Sequence, residues 1–239
     1  HSINKDAGGA PAFLKLSSGA VPASVGKAYV AKAIGAEGVY WNPAGIIESE
    51  KNDLTVMLSR PFIAVKDIDF HLINFGYIVR NDLAVGVNIS FLQVGNIERY
   101  DLFGNAVSGK YDDKEMAFMI SLSYKKDENI LLGSTIKIIS QNIDEYKDIA
   151  YSTDFGLKYL FNDKLRFGIV IQDLLSTDLN LIEELDSDKV RDSVSEIPIN
   201  FRVGLNYRPK EFIDINFQID KTANRDVIGR IGLETKILK

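Results

Sequence analysis

The chain contains no cysteine among its 239 residues, which excludes disulfides, thiolate metal sites and cysteine nucleophiles. Its two histidines, His1 and His71, lie far apart, and no Ser/His/Asp set or pair of carboxylates forms a recognisable catalytic pattern. The acidic run from Glu183 to Asp188 lacks the spaced ligands and the glycine of a known calcium loop, so we interpret it as a solvated loop. We therefore expect no enzyme, no cofactor and no metal site.

Long apolar runs are also absent. No uninterrupted stretch reaches the roughly 18 apolar residues of a transmembrane helix. The 28 basic and 33 acidic residues give a net charge of −5, which argues against a nucleic-acid partner. A hydrophobic fraction of 46% is nevertheless far from that of a disordered chain, and strands that alternate apolar and polar residues are compatible with a membrane β-barrel.

That alternation is present from Asp53 onward, in about ten strand-like runs. It is clearest in five of them: 83–91, 116–124, 151–159, 197–207 and 213–219. Because successive strand side chains point to opposite faces, each run has one apolar and one polar face. The pattern predicts an all-β fold with a two-faced antiparallel sheet.

Several features favour a membrane barrel over a soluble sheet. Many runs are long enough to cross a bilayer when tilted, and aromatic residues cluster near their ends. The polar face carries full charges that we expect to face a lumen: Lys137, Asp154, Lys158, Arg166, Arg202 and Arg230. We expect these charges to pair with one another and with the plug, since buried charges need partners, with solute head groups as the alternative ligands.

Loop length adds an independent argument. Short turns follow even-numbered strands, at Arg80–Asp82, Lys126–Glu128, Asn162–Asp163 and Pro209–Glu211. The two longest connections, Gly95–Asp112 and Ser176–Glu196, follow odd-numbered strands. This segregation is typical of outer-membrane barrels, whose short turns are periplasmic. The alternative is a soluble secreted β-sandwich or adhesin-like structural protein without transport activity, whose apolar faces would turn toward each other.

The first 50 residues have a different composition, rich in Gly, Ala and Ser. Only Lys27–Gly35 is predicted to form a short helix, with Tyr29, Val30 and Ala33 on one face. Such a segment cannot span a bilayer, but it can pack inside a lumen. We therefore divide the chain into an N-terminal plug or hatch, 1–50, and transmembrane β-strands, 51–239.

Three motifs in this segment carry a family resemblance: AFLKL at 12–16, VPASVGKAYVA at 21–31 and VYWNPAG at 39–45. In this order they resemble the start of PorV/PorQ-type outer-membrane proteins, within the superfamily of FadL-like long-chain fatty acid transporters. The rest of the chain resembles that superfamily only in its pattern. The resemblance implies a barrel of about 14 strands, so we expect a chain with about ten strands that ends at Lys239 to be part of a longer barrel.

The resemblance also implies that the N-terminal segment folds inward as a hatch. The gate motif would comprise Trp41, Asn42, Pro43, Ala44 and Gly45. A turn that merely caps the plug is the alternative interpretation of these residues.

Two functions follow from the resemblance: transport of hydrophobic solutes, or protein secretion across the outer membrane as a partner in a type IX secretion system. The expected location is the outer membrane of a Gram-negative type bacterium, after removal of a signal peptide. The expected partners are outer-membrane lipid and either hydrophobic small molecules or secretion-system components.

Overall fold

The computed structural model describes residues 12–16, 19–62, 67–101, 103–144, 146–185 and 189–235. Its main feature is an antiparallel sheet of ten strands. They are β1 (Asp53–Ser59), β2 (Ile68–Arg80), β3 (Leu83–Tyr100), β4 (Ala106–Lys125), β5 (Ile130–Ile143), β6 (Tyr146–Asn162), β7 (Leu165–Gln172), β10 (Asn200–Lys210), β11 (Ile213–Thr222) and β12 (Val227–Thr235). A separate hairpin, β8 (Leu179–Leu185) with β9 (Lys189–Ser195), lies between β7 and β10.

The strands follow one another in chain order across the sheet, apart from that hairpin. The predicted all-β antiparallel fold of about ten strands is confirmed. Within the described residues β1 and β12 are the two edges, and no ladder of hydrogen bonds joins them. No helix in this part of the chain is long and apolar enough to cross a membrane.

The outer face of the sheet is apolar. Exposed side chains on neighbouring strands form a continuous surface, which we call the outer belt: Leu54, Val56, Ile73, Phe75, Ile120, Leu122, Ile136, Ile138, Tyr151, Phe155, Phe217, Ile219, Ile231 and Leu233. Exposed aromatic residues flank it beside the tight turns, at Tyr77, Tyr124, Phe161 and Tyr207. The buried face is polar instead, with Asn74, Asn88, Ser121, Thr135, Ser152, Asn206 and Asn216. This polarity is opposite to that of a soluble β-sandwich, whose apolar faces pack against each other.

The two ends of the sheet differ only in part as predicted, because the connection between β5 and β6 at the opposite end is also short. Tight connections at 81–82, 126–129, 163–164 and 211–212 define the turn end. The opposite end, the hairpin end, carries the longest excursions, but the prediction that Gly95–Asp112 is a loop was wrong. After a bulge around Asn96, β3 and β4 continue to pair from Ile97 with Tyr111 to Tyr100 with Ala106. The prediction failed because this extension has no buried face that would produce an apolar repeat.

The connection Ser176–Glu196 also contains structure that was not predicted, the hairpin β8–β9. Part of the acidic run between Glu183 and Asp188 lies outside the described residues, so its interpretation as a solvated loop stays a prediction.

The predicted helix at Lys27–Gly35 was wrong. Gly26 and Lys27 both have positive φ angles, of 62° and 66°, which a right-handed helix does not allow. The backbone N–H groups of Tyr29 and Val30 instead donate to the side-chain oxygen of Gln218, at 2.8 and 2.9 Å. Helical turns lie on either side, as α1 (Ala20–Ser24), α2 (Gly38–Trp41) and 3₁₀ turns at Ala12–Lys15, Gly35–Glu37 and Pro43–Glu48.

Candidate functional site

Residues 19–50, which we call the plug, pack against the polar face of the sheet. Most of their side chains from Val30 to Ile47 are buried, and Asn42 is 0% exposed. The plug contacts every strand of the main sheet, from Asp53 on β1 to Gly232 on β12. The space that the sheet surrounds is therefore filled by the chain's own N-terminal part.

Glycines on the inner face make this close approach possible. They lie on seven strands and form what we call the glycine band: Gly76, Gly86, Gly133, Gly156, Gly168, Gly204 and Gly232. Gly76 pairs with Gly86, Gly133 with Gly156, and Gly168 with Gly204 across neighbouring strands. A Cβ atom added at Gly168 would lie 2.7 Å from the carbonyl oxygen of Val30, and one at Gly156 would meet Asn42 and Pro43. Backbone thus packs on backbone wherever the plug crosses the band.

The five residues of the predicted gate motif lie at the centre of this contact. The Asn42 amide nitrogen donates to the carbonyl oxygens of Val30 (3.0 Å), Leu157 (3.3 Å) and Ile169 (3.4 Å), and so joins the plug to β6 and β7. Its oxygen accepts from Ala44 N–H at 3.2 Å, where Pro43 begins a 3₁₀ turn.

The following residues tie the motif to β4. The carbonyl oxygen of Ala44 accepts from the Ser123 hydroxyl at 3.1 Å, and Ile47 N–H donates to the same hydroxyl at 3.3 Å. Gly45 lies against Ala33, where a Cβ would collide with the backbone. The motif is therefore a junction between two plug segments and three strands, while its role as a gate stays a prediction.

We expect Asn42→Asp to loosen the plug, because a carboxylate replaces the amide group that donates to these three carbonyl oxygens. Each buried acceptor left without a donor costs about 1–3 kcal/mol, and an added buried charge raises that cost. Thermal unfolding in detergent, followed by gel mobility, should show a lower midpoint. The matched control is Asn52→Asp, since exposed Asn52 uses its oxygen to accept from Ile78 N–H and aspartate retains that acceptor. Equal midpoints for the two variants would contradict the junction.

The six predicted lumen-facing charges all lie on the inner face, and two of them hold the plug. Lys158, which is 0% exposed, pairs with Glu48 and donates to the carbonyl oxygen of Ala33 at 2.8 Å. Arg166 lies 2.8 Å from the other Glu48 oxygen. We call Glu48, Lys158 and Arg166 the latch. Lys32 adds a second attachment, 2.6 Å from Glu234 on β12.

The other four charges lie nearer the hairpin end. Lys137 bridges Asp154 at 2.7 Å and Asp173 at 2.8 Å, while Arg230 contacts Asp220 at 2.7 Å. Arg202 stacks its guanidinium over the ring of Trp41, 5.4 Å from the centroid. No group of three or more His, Cys, Asp and Glu side chains in the described ranges could hold a metal ion.

A cavity of about 180 Å³ lies on the hairpin-end side of the plug. Trp41 and Tyr40 of the plug line it together with residues of β10, β11 and β12. Burial raises the pKa of Tyr40 to about 12, so its hydroxyl stays protonated and donates to the carbonyl oxygen of Leu14, with that of Leu16 3.2 Å away. Burial and, to a lesser extent, the neighbouring guanidiniums of Arg230 and Arg202 lower the pKa of Lys27.

Sequence reasoning missed several residues of this site, notably Glu48, Ser123, Asp173 and Gln218. Isolated polar residues in alternating strands carry no signal for the partner that they will meet. The glycine band had a visible signal, because a glycine recurs on the polar side of successive runs, but that recurrence was not interpreted as a packing surface.

No protein-family model matches this chain, and no curated protein matches it by sequence. Solved structures do resemble it. A mutant of the monoaromatic hydrocarbon channel TodX aligns with a TM-score of 0.62 and 10% identity, over 92% of this chain and 76% of that one. The Ralstonia pickettii toluene transporter TbuX aligns with a TM-score of 0.55 and 12% identity, over 93% of this chain and 90% of that one. A Pseudomonas aeruginosa FadL homologue aligns with a TM-score of 0.55 and 10% identity, over 87% of this chain and 69% of that one. The chain therefore has the fold of the FadL-like outer-membrane barrels.

Proposed function

We propose that the protein is an outer-membrane β-barrel protein that controls the passage of hydrophobic solutes across the outer membrane of a Gram-negative bacterium. The observation that carries this proposal is the inverted polarity of the sheet, whose apolar outer belt surrounds a polar interior filled by the plug. An apolar belt with aromatic residues at its border suits lipid, and a polar interior suits a lumen. Outer-membrane lipid is then the partner of the belt.

The orientation follows from the loops. Short turns are periplasmic in outer-membrane barrels, so the turn end faces the periplasm and the hairpin end faces outward. The cavity then opens toward the outside, and the plug separates it from the periplasm. Solute passage requires the plug to shift, which makes the junction at Asn42 and the latch the gate of this proposal.

The first experiment is expression with a signal peptide, followed by fractionation and gel migration with and without heating. Recovery in the outer membrane with faster migration of the unheated band is expected. Flux of toluene into liposomes that contain the purified protein then tests passage directly. A monodisperse product that is soluble in the periplasm without detergent would contradict the proposal.

Ile136→Arg tests the lipid contact of the outer belt. Ile136 is 63% exposed within the belt, and arginine near the middle of a bilayer costs about 2–4 kcal/mol. We expect this variant to lose heat-modifiable protein from the outer membrane. The matched control is Val107→Arg, at an exposed position on the β3–β4 extension beyond the belt. If water surrounded the belt, both variants would behave alike.

A second candidate is a secretion partner of the PorV type, acting with type IX secretion components. The observation that favours it is the filled interior together with the projecting β3–β4 extension, where Phe103 is 90% exposed and Tyr100 is also exposed. Such a partner needs an outward surface rather than a lumen. Phe103→Asp should then reduce co-isolation with secretion components, whereas the solute-passage proposal expects unchanged toluene flux in this variant.

A further inference from the structure

We propose that the cavity between the plug and β10–β12 binds a small organic carboxylate, held by Arg202 and Arg225. This inference goes beyond the proposed function, because it assigns to the cavity a charged ligand rather than the neutral solute with which passage is tested.

The size of the cavity limits the ligand. Its volume is about 180 Å³. Sites for drug-sized ligands are larger, at about 300–1,000 Å³. The lining also offers apolar surface for the body of a ligand, from Leu14, Leu16, Trp41, Met119 and Ile197. A compact molecule with an apolar body fits these dimensions better than an extended acyl chain.

The charges of the lining are unequal. Five cationic side chains and three carboxylates surround the cavity. Two of the carboxylates already have partners, since Asp173 lies 2.8 Å from Lys137 and Asp220 lies 2.7 Å from Arg230. Arg202 is 4.0 Å from Asp220, which is too long for a hydrogen bond. Cationic side chains therefore outnumber carboxylates among the residues that line the cavity, although Lys137 also pairs with Asp154 at 2.7 Å.

Two guanidinium nitrogens identify where an anion would bind. Nη1 of Arg202 and Nη2 of Arg225 are buried and have no hydrogen-bond partner in the described part of the chain. The stack on Trp41 fixes the Arg202 guanidinium, and the Asn200 oxygen accepts from its Nε and Nη2 at 2.8 Å in one amide orientation. A buried donor without an acceptor is costly, so both groups favour a ligand that supplies oxygens.

A carboxylate meets these requirements. Guanidinium groups bind planar carboxylates through charge-assisted hydrogen bonds, and the apolar lining accommodates an attached ring or short chain. A cation supplies no acceptor for these donors, and a neutral hydrocarbon would leave both of them without partners. The third carboxylate of the lining, Asp226, is exposed to solvent and adjoins Arg225 in the β11–β12 connection.

The chain contains one tryptophan, Trp41, and this residue lines the cavity. Tryptophan fluorescence of the purified full chain in detergent at neutral pH therefore reports on ligands that bind in this cavity. Benzoate is the probe, and benzamide is its neutral analogue of almost the same shape. We expect the fluorescence to change with benzoate until the site is saturated. Benzamide should bind at least tenfold more weakly, which corresponds to a difference in binding free energy of about 1.4 kcal/mol.

Arg225→Gln is the main variant, because Arg225 lies in a connection between strands and does not contact Trp41 in the described contacts. It should weaken benzoate binding at least tenfold and leave the weak binding of benzamide unchanged. The matched control is Arg60→Gln, since the Arg60 side chain is 80% exposed and does not line the cavity. This control should bind benzoate as the unaltered protein does.

Three results would overturn the inference: equal binding of benzamide and benzoate, unchanged benzoate binding in Arg225→Gln, or equally strong displacement of benzoate by chloride. Failure of the proposed function has a different signature. Absence of toluene flux while benzoate binding persists would refute solute passage of that class, whereas flux without benzoate binding would refute only the carboxylate site.

Discussion

Gly156→Val is expected to displace the plug and open the lumen to ions. A side chain at this position would occupy the space of the Asn42 amide and of Pro43, whose Cδ lies 2.9 Å from an ideal Cβ. Gly133 faces Gly156 across β5 and β6, and its own Cβ position is blocked by the backbone of Pro43 and Ala44. The strand cannot yield without breaking its ladder, so the plug has to move.

The expected strain is about 1–3 kcal/mol, as for an overpacked core. Valine itself favours strands, so loss of the plug's position rather than of the strand is the expected outcome. Recordings in planar bilayers measure the effect directly. We expect the ion conductance of Gly156→Val to be much larger than that of the unaltered protein. Limited trypsin digestion is the second readout, because Lys27 and Lys32 become accessible when the plug leaves the lumen.

The matched control is Gly229→Val. Nothing lies within 4 Å of a Cβ added at Gly229, which is on β12 and pairs with Ile219 of the outer belt. This variant should retain the closed state and the original digestion pattern. Closed channels and protected lysines in Gly156→Val would show that the glycine band does not set the position of the plug.

Glu48→Gln is expected to have the second largest effect. It removes the negative charge that both Lys158 and Arg166 contact and leaves two cations inside the protein. Breaking a buried ion pair by removing one partner costs about 3–5 kcal/mol. The thermal midpoint of the detergent-solubilised protein should therefore fall sharply. Glu50→Gln is the matched control, since Glu50 is exposed two residues away, and we expect it to change stability by less than about 0.5 kcal/mol.

A double variant separates charge imbalance from lost packing. Lys158→Met replaces the cation with an uncharged side chain of similar length and keeps the contact of Arg166 with Glu48 at 2.8 Å. This variant should therefore lose less stability than Glu48→Gln. The pair Glu48→Gln with Lys158→Met should be more stable than Glu48→Gln alone, because one unpaired charge is gone. Strictly additive losses would mean that the latch residues act independently.

The fold was largely predictable because alternation of side chains follows directly from strand geometry. The runs at 116–124 and 151–159 gave the correct face for every residue, including the inward charges Asp154 and Lys158. Turn positions followed from the same pattern. The β3–β4 extension was not predictable in this way, because strands with water on both sides show no apolar repeat.

The conformation of the plug could not be predicted from its sequence. Its composition excluded a membrane span, and the motif around Asn42 marked its centre. The helix assigned to Lys27–Gly35 failed because Tyr29 and Val30 take their hydrogen bonds from Gln218, which is distant in the sequence. A local pattern contains no information about such a partner.

The contacts between the plug and the last strands also determine how this protein folds. Val30 meets Gln218 at a separation of 188 residues, and Lys32 meets Glu234 at a separation of 202. Contacts so distant along the chain make folding slow, because the entropy of closing large loops is lost before the contacts form. The earliest part of the chain can therefore complete these contacts only after the latest strands have formed. A chaperone that binds residues 19–50 would delay this last step without touching a single strand.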